Sequence, residues 1–394
     1  MRALFCPIAG RGFIYPMLGI GQKLTARGHT VAFATSVEFA DVIAEAGFDR
    51  LPRGVKDGAS FELARWGHPL AVAIQVRHVQ HAIERFDPDV LLVSPLALGA
   101  LVVGEIACLP VAMLGLSTFL WPVADAGRGM RSADPEASWR HAEMLRLYNQ
   151  ARGLFGQRPY DGRLDESPLL VTPHLLQSVP ELEPLAAGLP AAVKMVGSCL
   201  HEAERPDAEL MAWLEEGRPG EPLVYLQHGS VFDGGGDYWP TFAAAAQDAG
   251  VRVAASLGRR RGAVAPFTDS RFLLRPHVPQ GPVLERASAV VSSGNTTAVL
   301  GALTHGLPSL LLPNGGEQRA MAIRCSRAGT AVVLGSQTPA APLRAALEKV
   351  LTDAGLRAAA GRLRAAFSGY EGPTLVVGAL EELGLAPAVR SGAA

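Results

Sequence analysis

The chain reads as an α/β protein of two doubly wound, Rossmann-like domains facing each other across a cleft. Three observations predict this. Its 394 residues exceed what a single core usually holds. Short apolar runs bounded by turn residues alternate with helix-length segments, first in one half of the chain and again in the other. Between the two series lies the charged stretch His201-Glu202-Ala203-Glu204-Arg205-Pro206-Asp207, whose composition and closing Pro-Asp pair mark a linker. The expected boundaries are 1–199 for the first domain, 200–207 for the linker and 208–372 for the second domain. Residues 373–394 would form a C-terminal helix and tail.

Taken in order, Ala3 to Cys6 is a strand, followed by a loop up to Pro16. A helix from about Pro16 to Ala26 carries Met17, Leu18, Ile20 and Leu24 at helical spacing, with proline near its first turn. Arg27-Gly28-His29 closes that helix, and Val31 to Ala34 is the next strand. Phe61 to Glu84 is helical, and Asp87-Pro88-Asp89 leads into Val90 to Val93, a buried parallel strand. A helix over Ala97 to Ala107 and a strand over Leu109 to Leu114 follow. Trp121 to Ser167 has weak periodicity and reads as helices and loops where selectivity would reside. Leu169 to Thr172 is the last strand of this half, and Pro180 to Leu182 approaches the linker.

The second half repeats the theme. A helix over Ala208 to Glu215 precedes the strand Leu223 to Gln227, and His228-Gly229-Ser230 is the turn after it. Asp233 to Asp237 is a glycine-rich loop before a helix starting near Trp239-Pro240. Val251 to Ala255 and Arg271 to Leu274 are strands. The most informative stretch is Pro276 to Gly329. Ala289 to Val291 is a strand, and Ser292 to Thr297 offers hydroxyls, a glycine and an asparagine suited to opening a helix. That helix, about Ala298 to Thr304, stops before Gly306-Leu307-Pro308, and Ser309 to Leu312 is the next strand. A helix N-terminus directly after a parallel strand is a natural seat for phosphate. Leu343 to Phe367 is a pair of helices, and Thr374 to Leu383 is the last.

Composition narrows the function. With 36 basic and 37 acidic residues the net charge is -1, so nothing favours nucleic acid or an anionic membrane surface. Arg259-Arg260-Arg261 is a solvated turn or, more sharply, a phosphate contact. Cys6, Cys108, Cys199 and Cys325 are widely spaced and read as reduced core residues, not bridges or metal ligands. No metal site is expected, because Asp87-Pro88-Asp89 precedes its strand and reads as a turn. The opening residues form a strand, not a signal peptide, and the longest apolar stretch, Ala97 to Val103, is too short for a bilayer. A cytoplasmic protein is expected; a homodimer is left open.

Val278-Pro279-Gln280, Ser293-Gly294-Asn295, Gly306-Leu307-Pro308 and Glu317-Gln318 occur in the order and spacing that mark a family. They resemble the donor-binding signature of nucleotide-sugar glycosyltransferases, in the antibiotic or natural-product branch with the GT-B fold (macrolide- and glycopeptide-like). The resemblance extends over most of the chain and includes Arg27-Gly28-His29. It implies an inverting, metal-independent transfer from a dTDP, UDP or GDP sugar to a small natural-product acceptor, with no other cofactor. Ser293, Gly294, Asn295, Thr296 and Thr297 would seat the diphosphate at a helix start, with Gly229 and Ser230 approaching from a neighbouring loop. Glu317 and Gln318 would hold sugar hydroxyls, and Val278 and Gln280 would flank the nucleobase. Each has a bland reading: an N-cap, a tight turn, a solvated turn and a loop, respectively.

The resemblance fails at the catalytic base. After the first-loop glycine the family places His or Asp; here Arg11-Gly12 is followed by Phe13. The Asp that would orient such a base is replaced by Ser94, and the phosphate-binding His by Ser293. Arg11, Gly12, Phe13 and Ser94 therefore line the expected acceptor side without a base among them. Three readings stay open. The base is another residue, with His68, His174 and His228 as candidates; the acceptor needs little help, as a thiol or another easily ionised group would; or the chain is a non-catalytic, sugar-nucleotide-binding partner protein. A sugar-nucleotide epimerase of the same architecture is a further alternative.

Overall fold

The computed structural model describes residues 1–120, 123–124, 129–130, 135–183, 189–202, 205–227, 239–258 and 269–385. The chain divides into two compact units. Met1–Ser178, Leu185–Ala203 and Tyr370–Ala394 form the first; Val179–Pro184 and Glu204–Gly369 form the second. The expected first domain, 1–199, ran through Val179–Pro184 without a break. The structure assigns that segment to the second unit, and Glu183 supplies a reason. Its carboxylate is 5% exposed and pairs with Arg324 at 3.0 Å, and a buried carboxylate is stable only where its cation is.

In the first unit the elements are β1 (Arg2–Cys6), α1 (Arg11–Ala26), β2 (Thr30–Phe33), α2 (Ala40–Glu45), β3 (Asp49–Arg50), α3 (Pro69–Phe86) and β4 (Val90–Val93). They continue with α4 (Leu98–Ile106), β5 (Val111–Gly115), β6 (Val123–Ala124), β7 (Gly129–Met130), α5 (Pro135–Gly153), β8 (His174–Leu176) and β9 (Val193–Met195). The main sheet is parallel in the order β3-β2-β1-β4-β5-β8-β9, and β6 and β7 pair antiparallel apart from it. β4 is apolar and buried along its whole length because helices cover both faces. Val72, Val76 and Val79 of α3, Leu101 of α4 and Leu147 of α5 pack on one face. Ile14 and Leu18 of α1 pack on the other, together with Val376, Val377 and Leu380 near the C-terminus.

The second unit holds α6 (Ala208–Glu215), β10 (Leu223–Gln227), α7 (Trp239–Asp248), β11 (Arg252–Ser256), β12 (Phe272–Arg275), α8 (Gln280–Leu284) and β13 (Ala289–Ser292). Then come α9 (Thr296–His305), β14 (Ser309–Leu311), α10 (Glu317–Arg327), β15 (Ala331–Val333), α11 (Ala340–Thr352) and α12 (Ala354–Ser368). Its sheet is also parallel, ordered β12-β11-β10-β13-β14-β15. In both sheets the first strand of the unit lies centrally and the chain winds outward to both sides, the doubly wound pattern. The last helix, α13 (Gly372–Gly384), belongs to the first unit. Glu381 on it accepts from Arg27 at 2.8 Å and bonds the His29 ring at 2.9 Å. His29 is thus a fastener for the tail.

Several sequence expectations need correction. Leu169 to Thr172 is not a strand: Leu169 and Leu170 are buried in a turn and Val171 has φ 55°, incompatible with extension. The strand is β8, and its neighbour β5 begins pairing where Met113 N–H donates to Pro173 O at 3.1 Å. The helix expected from Phe61 begins at Pro69, because proline at its start and the His68 ring accepting from Leu70 N–H set the N-terminus. Helix α10 and strands β3, β9 and β15 were not expected at all. The strands are two or three residues long, too short for periodicity to register.

Candidate functional site

The carboxyl edge of the second sheet carries an unusual set of polar atoms. β10, β13 and β14 are neighbours there. Gln227 ends β10, Ser293 and Asn295 follow β13, and Asn314 follows β14. Among the described residues, Gln227 Oε1, Ser293 Oγ, Asn295 Nδ2 and Asn314 Oδ1 are all buried without a hydrogen-bond partner. Leaving one such atom unmade costs about 1–3 kcal/mol, so a cluster on one edge points to a polar ligand that completes it. Ser293 is the sharpest case, with only 1% of its surface exposed.

The turn itself is tightly built. Gly294 N–H donates to Ser292 Oγ at 3.0 Å, and Asn295 Oδ1 accepts from Ala298 N–H at 3.0 Å as the N-cap of α9. Gly294 has φ 84°, and a Cβ there would lie 3.0 Å from the Gln318 carbonyl oxygen. Only glycine permits both the left-handed backbone and that approach. α9 ends as the sequence predicts, with Gly306 at φ 71° in the left-handed cap position.

Glu317 and Gln318 open α10 directly beside this turn. Glu317 Oε1 accepts from both Thr296 N–H and Thr296 Oγ–H, each at 3.2 Å. Gln318 Oε1 accepts from Asn314 N–H at 2.9 Å, and Gln318 is 4% exposed. The N-termini of α9 and α10 therefore converge on one spot, and a carboxylate occupies it. Two positive helix ends favour an anion there.

The remaining donor-side candidates divide. Val278 has a fully buried side chain in the core with Val283, Leu284 and Val290, which leaves only its backbone for a ligand. Pro279 precedes α8, and the amide of Gln280 lies against Gly301 of α9, within 3.1 to 3.2 Å of where a Cβ would sit. Gln280 thus props α9 from the side. Thr297 is half-buried in the first turn of α9. Gly229 and Ser230, with His228 and Arg259 to Arg261, lie outside the described residues.

On the first unit the corresponding loop is closed. Gly10 caps α1, and Arg11 is exposed with its guanidinium 5.5 Å from the Tyr15 ring centroid. Gly12 is half-buried. Phe13 is 7% exposed, belongs to the core, and its ring lies 6.4 Å from that of Phe119. Ser94 Oγ accepts from Ile8 N–H at 2.7 Å, tying the end of β4 to the loop after β1. Both positions that would carry a base and its orienter serve packing. Next to Phe119, Thr118 Oγ1 is buried without a partner, and Arg140 on α5 donates to Thr118 O at 2.7 Å. Thr118 was missed from the sequence, where nothing marks a lone threonine between the strand ending at Leu114 and Trp121.

The candidate bases fare poorly. His68 is exposed and caps α3. His174 is buried in β8, hydrogen bonded to Leu170 O at 2.7 Å and pressed against Gly115; burial holds its pKa down to about 4. It is a core histidine. His141 on α5, which sequence patterning did not single out, is likewise buried and held near 4. No helix among the described residues is long and apolar enough to cross a membrane.

Comparison with known proteins finds relatives that share the fold. Residues 258–383 match the family described as Erythromycin biosynthesis protein CIII-like, C-terminal domain. The chain is 26% identical to 4'-demethylrebeccamycin synthase of Lentzea aerocolonigenes, over 97% of its own length and 99% of that protein's. The glycotransferase of kitacinnamycin superposes with a TM-score of 0.77 at 20% identity, covering 97% of this chain and 98% of that one. The spinosyn rhamnosyltransferase SpnG, solved with thymidine diphosphate, does so with a TM-score of 0.73 at 21% identity, over 97% and 100%.

Proposed function

We infer that this chain, a GT-B-fold relative of the antibiotic glycosyltransferases, moves a sugar from a nucleotide donor to a small natural-product acceptor with inversion at the anomeric carbon. The observation that carries the reading is the set of unpartnered polar atoms around the N-terminus of α9. A diphosphate seated there would be held by backbone N–H groups, the hydroxyls of Ser293, Thr296 and Thr297, and the helix dipole. The acceptor atom attacks the anomeric carbon, the bond from that carbon to the diphosphate oxygen breaks, and the diphosphate leaves with its electron pair. Donors preorganised at the departing oxygens supply the stabilisation without a metal ion. The likeness to a structure holding thymidine diphosphate makes dTDP the first nucleotide to test.

The loop with Phe13 and Ser94 supports an acceptor that ionises on its own. A thiol, with an ordinary pKa of about 8.5, is a few per cent thiolate at neutral pH and needs no general base. Phe119, backed by the buried Phe13, offers partly exposed aromatic surface, and Thr118 a buried hydroxyl, on the same unit. The same packing of Phe13 favours one other reading, a sugar-nucleotide-binding partner without activity of its own. Calorimetric titration with dTDP, UDP and GDP separates these ideas, followed by mass spectrometry of the matching sugar nucleotide incubated with thiol and hydroxyl acceptors. Binding with transfer to the thiol is expected. Binding with no transfer to any acceptor would favour the partner protein, and no binding at all would sink the donor site.

A further inference from the structure

Glu317 stands where the diphosphate is placed above, and this creates a conflict the site must resolve. Its Oε1 takes both the first backbone N–H of α9 and the Thr296 hydroxyl, at 3.2 Å each. It is also the first residue of α10, whose N-cap, Gly316, provides no side-chain cap. The carboxylate thus serves as the anion for two helix N-termini. The neighbouring N–H of Ala298 is already satisfied by Asn295 Oδ1, so Thr296 offers the N–H and hydroxyl that an arriving anion needs. Ser293 Oγ, 1% exposed and unpartnered in the same turn, shows that the seat remains incomplete with Glu317 in it.

We propose that Glu317 is an internal stand-in for the donor's diphosphate, which displaces it and so turns the carboxylate toward the sugar. The inference rests on the donor-site reading above and adds an order of events to it. Two anions cannot share the Thr296 donors, since repulsion between them is strongest where burial has removed water. A nucleoside diphosphate without its sugar must therefore displace Glu317 and give it nothing new to bind. A sugar nucleotide displaces it and offers hydroxyls that donate hydrogen bonds to the carboxylate, which recovers the loss. The consequence is discrimination: the intact donor is favoured over its own product nucleotide, which limits product inhibition.

The test compares wild type with Glu317→Gln and Glu317→Ala by calorimetry. The probes are dTDP, UDP and GDP and the corresponding glucose nucleotides, each titrated into all three proteins; thermal melts report folding. Both variants should bind the nucleoside diphosphate about three- to tenfold more tightly than wild type, as expected for removal of one competing charge at a helix terminus. The preference for the glucose nucleotide over the bare diphosphate should shrink by a similar factor. Binding of the diphosphate by the variants alone would be the extreme of the same result. If wild type and both folded variants bind the diphosphate equally, Glu317 does not compete for the seat and the inference fails while the donor site stands. If none of the three binds any nucleotide, the donor site itself is wrong, and the inference falls with it.

Discussion

The turns at the carboxyl ends of the two sheets are built from similar residues and have opposite characters. In the first unit, Ser94 follows β4 and gives its oxygen to Ile8 N–H at 2.7 Å, while Phe13 at the start of α1 is buried against Phe119. In the second, Ser293 follows β13 and is as buried as Ser94, each 1% exposed, yet its hydroxyl has no partner. Burial is therefore uninformative about which serine is functional. Hydrogen-bond satisfaction separates them. A satisfied buried hydroxyl has a structural reason to be there, whereas an unsatisfied one is a cost carried for a ligand.

Substitutions can break or sharpen that contrast. The largest effect is expected for Gly294→Ala. The new methyl meets the Gln318 carbonyl at 3.0 Å in a left-handed backbone, so strain of about 1–3 kcal/mol must be relieved by moving the turn. Nucleotide affinity should fall about five- to a hundredfold, since each ~1.4 kcal/mol of lost interaction is tenfold. Calorimetry alongside a thermal melt would read both effects, and unchanged affinity would show that the turn does not touch the nucleotide.

Ser94→Ala and Ser293→Ala form the matched pair. Losing the Ser94 oxygen orphans the buried Ile8 N–H, which should lower stability by about 1–3 kcal/mol in urea unfolding and leave nucleotide affinity intact. Ser293→Ala removes a hydroxyl that bonds nothing among the described residues, so stability should hold or rise slightly. Nucleotide affinity should drop about fivefold, the equivalent of one ordinary hydrogen bond of about 1 kcal/mol. The reverse pattern, with Ser293→Ala unfolding more easily and binding as before, would make that serine structural and dissolve the contrast.

Much of this was legible in the chain before any coordinates. The strand-turn-helix-strand run from Ala289 to Leu311 is marked by a β-branched run, an Asn cap and a glycine stop, each local physics that tertiary context reinforces. The absence of His or Asp beside Gly12 was equally plain. Other features were beyond sequence reading. β8 is displaced from Leu169 to Thr172, where the apolar residues turn inward and do not run extended. Val179–Pro184 goes with the second unit through Glu183 and Arg324, residues 141 positions apart.

What the sequence determined by itself is the alternation of strands and helices, the glycine-dependent turns and the kinds of group at the head of α9. These depend on residues within a few positions of one another, where backbone preference and capping act. Tertiary structure alone decided which of those groups were already spoken for. Ser94 is satisfied, Ser293 is not, and Glu317 reaches across from α10 to the head of α9, because hydrogen bonding is settled between segments far apart in the chain. A motif can state which residues meet a ligand; only the fold shows what holds those residues until the ligand arrives.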